Sequence, residues 1–455
     1  MRCALVFALA LAATPAFAAP CAGFTDVDDS SPFCVNVEWM KNRGITLGLT
    51  PTQFGPNSPV TRLQMAAFMY RLGFQNAFLQ GGNAFGAVAQ VGTTDNQAVE
   101  IVANGARMVR LEPNAISPNV LHGHETAGVY PAVHGVAIGG GGSNLPDPSC
   151  TNGLGCLNFA TDNFATIAGG ESNIAGDGTG TLADASHATV GGGFNNRAVG
   201  RYSTVAGGRD NFALNLDSTV GGGVSNQADI NGTVAGGIYN IAGVLGTVLG
   251  GAYNYALGDG SIAGGVYARA VHPGCIVLAD YGGFANAKTT CGGPNQFIVR
   301  ARGGVYFFTG GESDATYTGV YVNPGSSSWL TYSDRDGKHE VAPVNASTVL
   351  ERVVALPMST WRWKNEGNAV RHMGPMAQDF HAAFGLGPSD RHIATVDADG
   401  VAFAAIQGLN AKVEELRAAK DAEIVELRRA NEELRRAVVA LSARLDSPAQ
   451  LVSTK

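Results

Sequence analysis

Charge is what this chain has least of. Only 15% of its 455 residues are Asp, Glu, Lys or Arg, and 30 basic side chains stand against 37 acidic ones for a net charge of -7. No basic excess is available to attract a phosphate backbone, which excludes nucleic acid as a partner. Long apolar runs are also missing after residue 18, so no later segment reads as a transmembrane anchor. The C-terminus lacks the succession of alternating strands that an outer-membrane barrel requires. The histidines do not gather near the cysteines, so no metal and no cofactor is expected. Acidic residues are sparse through the middle of the chain, and no carboxylate pair suited to glycan hydrolysis stands out.

Glycine is abundant, at 62 residues, yet has no three-residue period, which excludes collagen. Residues 1–18 read as a secretory signal, with Arg2 as the basic end, Ala4 to Ala13 as the apolar stretch and Ala16-Phe17-Ala18 as the cleavage site. The expected location is therefore extracellular, at the cell surface. Six cysteines remain, in three local pairs: Cys21/Cys34, Cys150/Cys156 and Cys275/Cys291. An even count in an exported chain points to disulfides, within or between chains, with free buried thiols as the alternative.

The glycines mark a repeat. Thr189-Val190-Gly191-Gly192-Gly193-Phe194-Asn195-Asn196 returns, with variation, at Thr166 to Asn173, Thr204 to Asn211, Thr219 to Asn226, Thr233 to Asn240 and Thr247 to Asn254. An earlier copy, Val136 to Asn144, is set apart by an insertion, and a degenerate one runs from Ser261 to Ala268. From Asn196 to Asn254 the step between equivalent asparagines is 15, 15, 14 and 14. A fixed period of this kind is a solenoid signature. The residue after Thr should point inward and stack on its neighbour. Gly-Gly should permit positive φ and close approach of coils, and the asparagines should cap the turns and form a ladder. One coil supplies so few large apolar groups that its core is thin, and neighbouring chains would complete the burial. A flexible Gly-rich linker is disfavoured by the strict register of the β-branched positions.

Ahead of the array, residues 24–73 read as a small helical unit. Phe24-Thr25-Asp26-Val27 opens it, Val35 to Lys41 has helical spacing, and Val60-Thr61-Arg62 caps a helix that ends near Leu72. Residues 84–135 form a β-rich lead-in, with Asn104-Gly105 as a hairpin turn between Val99–Val102 and Met108–Leu111. After the array, residues 271–332 return to strands. From 333 the composition turns helical and charged: a helix over Ser347 to Leu356, a strand at Trp361 to Lys364, and helix from Val401 to Leu445. Within that last stretch Ile406, Leu409, Val413 and Leu416, then Ile424, Leu427, Asn431, Leu434, Val438, Leu441 and Leu445, keep a 3-4 spacing, with a step of eleven between the blocks. That is a coiled coil over 403–445 with a stutter, and Asn431 sits at a core position.

Three resemblances follow from these motifs. The set Phe-x-Asp-Val, Gly44-Ile45-Thr46-x-Gly48, Phe54-x-Pro56 and Thr61-Arg62-x-Gln64 resembles a single S-layer homology module, a family that binds cell-wall polysaccharide through its Thr-Arg motif. That implies Thr61 and Arg62 as a polysaccharide site, and a packing or capping module remains the alternative. The array over 136–270 resembles the head of trimeric autotransporter adhesins, which implies a left-handed β-roll of three chains. Ser333-Asp334-x-x-x-Lys338, the Trp-Lys strand, Gly374-x-x-Ala377-Gln378-Asp379-Phe380 and Gly400-Val401-x-x-x-Ala405-Ile406-Gln407-x-Leu409 resemble the C-terminal intramolecular chaperone of phage endosialidases and tail spikes.

The last resemblance implies a single self-cleavage between Tyr332 and Ser333. Ser333 would attack the Tyr332 carbonyl, and Lys338 would be the general base, a role that needs a neutral amine and hence burial. His372 is a candidate assistant, and Asp334 a candidate for orienting the turn. The expected fold class is mostly β with an α C-terminus: a small N-terminal helical module, a trimeric left-handed β-roll, and an α+β chaperone domain (333–402) ending in a coiled coil. The expected function is a homotrimeric, adhesin-like surface fibre that discards its chaperone, with a cell-wall polysaccharide or a host or surface glycan or protein as ligand. A non-cleaving structural trimer and a polysaccharide-acting enzyme are the alternatives.

Overall fold

The Thr-Val and x-Ala dipeptides of the repeat become two columns of very short parallel strands. In a computed structural model, which describes residues 19–73, 88, 90–143, 148, 150, 155–282, 288–311, 317–367 and 369–445, the Thr-Val column pairs in strict register: Thr189 with Thr204, Thr204 with Thr219, Thr219 with Thr233, and Thr233 with Thr247. Arg197–Ala198, Phe212–Ala213, Gln227–Ala228, Ile241–Ala242 and Tyr255–Ala256 stack likewise in the second column. Alternation along each two-residue strand turns the first side chain outward and the second inward. Val190, Val205, Val220, Val234 and Val248 are accordingly fully buried, and so are Ala198, Ala213, Ala228, Ala242 and Ala256. Each coil therefore contributes one valine and one alanine to the core, as thin as the repeat implied. The residues of the signal-like segment, 1–18, lie outside the described residues.

A core this narrow leaves backbone groups at partly buried corners, and one asparagine per coil bonds them. Asn211 donates from Nδ2 to Gly207 O (2.9 Å), to Gly223 O in the next coil (2.9 Å) and to Asn196 Oδ1 (3.1 Å). Its own Oδ1 accepts the backbone N–H of Asn226 at 3.0 Å. The same pattern runs from Asn158 through Asn173, Asn196, Asn226, Asn240 and Asn254, all fully buried. The coils approach so closely at the following corner that a Cβ on Gly208 would overlap the Gly223 carbonyl oxygen, and Gly208 also has φ +88°. One residue earlier, Gly207 has an ordinary φ and nothing nearer than Gly192 O at 4.0 Å.

The stack has built ends. Val99–Ala103 and Ala106–Glu112 form the expected hairpin, with Asn104 and Gly105 both at positive φ. Asn119–His122 then pairs antiparallel with that hairpin and parallel with Ala137–Gly139. The lead-in is thus the first edge of the solenoid sheet and covers what would otherwise be an open strand edge. At the other end the parallel stack continues past residue 270, through Ile276–Ala279 and Thr289–Thr290, where Cys275 and Cys291 are joined. The other two disulfides link Cys21 to Cys34 and Cys150 to Cys156, so each cysteine bonds within its own local pair.

In the N-terminal module, Phe24 and Val27 point into a small core with Cys21 and Val37, on the helix Cys34–Asn42. Asp26 between them faces out and accepts the backbone N–H groups of Phe54 and Gly55, both at 2.7 Å. The Phe-x-Asp-Val motif is thus two core residues flanking one loop brace.

Residues 1–298 and 299–455 form separate units. In the second, Val305–Gly310, Thr318–Val322 and Leu330–Thr331 make a three-stranded antiparallel sheet. The helix Ala346–Ala355 is capped by Asn345, whose side chain accepts the Thr348 N–H. Ser359–Trp361 pairs with His372–Gly374, and this short strand ends at Trp361, short of Lys364. One helix then spans Thr395–Leu445. It buries Val401, Ala405 and Gly408, one face by i, i+4, i+7 spacing. A Cβ on Gly408 would strike the Ala346 carbonyl, so glycine sets how closely the two helices pack.

Three substitutions test this account by thermal melts followed by circular dichroism. Gly208→Ala is expected to cost more than about 2 kcal/mol, from a left-handed alanine plus the carbonyl overlap, while Gly207→Ala stays within about 0.5 kcal/mol. Asn211→Ala strands the Gly207 carbonyl and the Asn226 N–H, and leaves the Gly223 carbonyl with the Arg209 N–H alone. At roughly 1–3 kcal/mol for each buried group left unpaired, it should be the more damaging of the two corner substitutions.

Candidate functional site

The sheet that precedes Ser333 presents one aromatic face. Tyr332 directly follows the strand Leu330–Thr331, and its N–H reaches Gly319 O at 3.4 Å, which prolongs the pairing by one residue. Its ring packs against Tyr321 (centroids 4.8 Å apart), Phe308 (6.0 Å) and Tyr317 (6.2 Å). The residue on the acyl side of the expected cut is therefore clamped by its own side chain. These partners come from the strand-forming aromatics between 306 and 332. Their density was visible in the sequence, but their convergence on Tyr332 required the pairing register.

At Ser333 the sheet ends and a turn begins. Asp334 Oδ1 accepts the Asp336 N–H at 3.0 Å, and the Lys338 N–H reaches Arg335 O at 3.1 Å. This local winding returns the lysine side chain to the start of the turn. Lys338 Nζ lies 2.6 Å from Ser333 Oγ and 3.3 Å from Ser333 O. Asp334 shapes the turn through its backbone partner. Ser333 and Lys338 are both exposed in the single chain.

His372 is engaged elsewhere. Its Nε2 is 2.8 Å from Glu366 Oε2, and its ring stacks on Trp361 at 4.5 Å. Among the described residues it makes no hydrogen bond to Ser333 or Lys338. The Glu366–His372–Trp361 arrangement locks the short hairpin Ser359–Trp361/His372–Gly374.

The long helix carries the remaining feature of this unit. Ile406, Leu409, Leu416, Ile424, Leu427, Leu434, Val438, Leu441 and Leu445 are all exposed in the single chain, and Val413 is half-buried. Local ion pairs such as Lys412–Glu415 and Arg429–Glu433 lie on its surface and contribute little individually.

In the N-terminal module, Thr61 and Gln64 form a reciprocal cap. Gln64 Oε1 accepts the Thr61 N–H at 2.9 Å, and Thr61 Oγ1 accepts the Gln64 N–H at 3.2 Å. Thr61 thereby starts the helix Arg62–Gly73, and Arg62 stands exposed in its first turn. No helix among the described residues is long and apolar enough to cross a membrane.

Comparison with known proteins agrees with two of these regions. No curated protein matches the chain. Residues 333–385 match the family model described as the chaperone of endosialidase, beginning at the serine whose Oγ meets Lys338. Residues 23–66 match the S-layer homology domain, so the chain carries one such module before its solenoid and a chaperone segment after it.

Proposed function

We propose that this protein is a homotrimeric, adhesin-like surface fibre whose C-terminal part registers three chains and then cuts itself off between Tyr332 and Ser333. The contact of Lys338 Nζ with Ser333 Oγ, directly after a clamped Tyr332, carries the reading. Lys338 takes the proton from Ser333 Oγ as that oxygen attacks the Tyr332 carbonyl carbon. The C–N bond to Ser333 breaks, the nitrogen receives the proton, and an ester joins Tyr332 to Ser333 Oγ. Water then hydrolyses the ester, leaving a Tyr332 carboxylate and a free Ser333 amine and hydroxyl. Adjacency of nucleophile and carbonyl in one chain supplies much of the rate.

A general-base lysine works best shielded from water, and the single chain leaves Lys338 exposed. Assembly would supply that shielding, so cleavage waits for the trimer. The apolar seam on the long helix is the element that would bring the chains together. Loss of the chaperone after cleavage leaves a β-roll that can no longer re-register, which makes it kinetically stable. The lasting function then belongs to the region before Ser333. Its single S-layer homology module supports association with the cell surface, with Thr61 and Arg62 as the proposed contact for wall polysaccharide.

Intact mass of the purified protein tests the cut. A fragment beginning at Ser333 is expected from the wild type and absent from Ser333→Ala, and Lys338→Ala should slow its appearance by about 100-fold or more. A wild type that stays whole would leave residues 333–455 as a permanent assembly domain. Coupling to assembly has its own test. Leu427→Lys with Leu434→Lys should convert the trimer to monomer in sedimentation and suppress the fragment together. Full cleavage in a monomeric variant would separate the chemistry from assembly.

A further inference from the structure

We infer that the solenoid holds a Ca²⁺ ion at Asp162, Asp177 and Asp184, where an insertion folds back onto the stack. One carboxylate oxygen from each of these residues lies within 4.8 Å of the others. Asp162 is 1% exposed, and its Oδ1 is buried with no hydrogen-bond partner. Its other oxygen, Oδ2, accepts the Asp177 N–H at 3.0 Å and the Thr161 hydroxyl at 3.1 Å. A buried carboxylate oxygen with nothing to bond is costly unless a cation or a proton meets it. No salt bridge among the described residues reaches any of the three carboxylates.

The repeat itself marks this place. The step from Asn173 to Asn196 is 23 residues, whereas Asn196 to Asn211 is 15, so this coil carries eight more. The extra residues include Asp177-Gly178-Thr179-Gly180-Thr181 and lead to Asp184. The loop backbone crosses so close to Asp162 that a Cβ on Gly176 would overlap the Thr161 hydroxyl and Asp162 Oδ2. Asp177 and Asp184 are more open than Asp162, so the site has a buried floor and an accessible mouth.

The donor set names the ion. Oxygen is the only donor type in the cluster, which suits a hard cation and disfavours zinc or copper. Oxygens bound to one Ca²⁺ sit at about 2.3–2.6 Å from it, so they lie no more than about 5 Å apart, which the cluster satisfies. Three carboxylates of differing exposure on a glycine-rich loop fit the flexible coordination of Ca²⁺ better than the strict octahedron of Mg²⁺. Burial pushes the Asp162 carboxyl up, and the neighbouring Asp177 charge adds to this. Proton uptake is thus the competing way to neutralise the cluster. Bound Ca²⁺ would fasten the inserted loop to its coil and stabilise the stack.

The test uses the full chain, stripped with a chelator, and follows Tb³⁺ luminescence with displacement by Ca²⁺ or Mg²⁺, beside thermal melts with millimolar Ca²⁺ or chelator. Saturable binding of one ion per chain is expected, with Ca²⁺ displacing Tb³⁺ at lower concentration than Mg²⁺ and raising the melting temperature. Asp177→Asn with Asp184→Asn alters only the loop carboxylates, and should weaken Ca²⁺ by about tenfold or more without lowering the chelator-treated melt, since it also removes the repulsion on Asp162. Absence of a saturable signal in the wild type overturns the inference and leaves a proton as what neutralises Asp162. Equal affinity in the double variant overturns it as well, by placing the ion elsewhere.

Discussion

Everything in the solenoid depends on one buried amide per coil. A stack of fourteen- or fifteen-residue turns brings carbonyls together at its partly buried corners. Each asparagine gives both Nδ2 hydrogens to these carbonyls and takes the next coil's N–H on Oδ1. That bonding fixes the axial step between coils, and the step decides which residues can stand at the corner. Gly208 is glycine because the amide pulls the Gly223 carbonyl into the space a Cβ would fill. Valine and alanine in the core then fit a cross-section already set by the polar ladder. The hydrophobic contribution of each coil is small, and cooperativity along the ladder is what holds the array in register.

The second unit has the opposite economy. Its long helix buries Val401, Ala405 and Gly408, packing Gly408 against the chain's own helix Ala346–Ala355, and among the described residues its apolar seam beyond that point is exposed except for the half-buried Val413. A helix of 51 residues with a continuous exposed row of Leu, Ile and Val is far from any energetic optimum for a lone chain. Gly408 marks the change from one regime to the other. It lets the intrachain contact close tightly, and the exposed apolar residues after it are those the proposed assembly would use.

What could be read from the sequence, and what could not, divides along the range of the interactions. The inward valines, the asparagine ladder and the Asn104-Gly105 hairpin follow from period and turn chemistry, and all three are found. Each involves residues whose partners sit one repeat or one turn away. The merging of the lead-in with the solenoid sheet through Asn119–His122 was not legible, because a parallel pairing across a loop has no local signature. At the candidate site the Ser333 and Lys338 spacing was plain, while the clamp on Tyr332 depends on a register between three strands. His372 stands beside a motif in the sequence, while its contacts with Glu366 and Trp361 depend on the hairpin pairing. The Asp162 cluster has no local signature, because its members are split between one coil and an insertion fifteen and more residues later.

The exposure of Ser333 and Lys338 is the feature that ties the chemistry to the architecture. A nucleophile and a base that met in a dry pocket of the single chain would act as soon as that unit folded. Cleavage would then remove the long helix before it had brought other chains together, and the thin-cored solenoid would be left to find its partners unaided. A hydrogen-bonded pair that is still solvated is positioned but not yet shielded. In the proposed reading, shielding by a neighbouring chain would make the cut a report that assembly has occurred. The clamp on Tyr332 fits the same proposal, since it would hold the residue before Ser333 in place while other chains arrived. Geometry set early by local sequence, and environment set late by association, would together order the two proposed events in time.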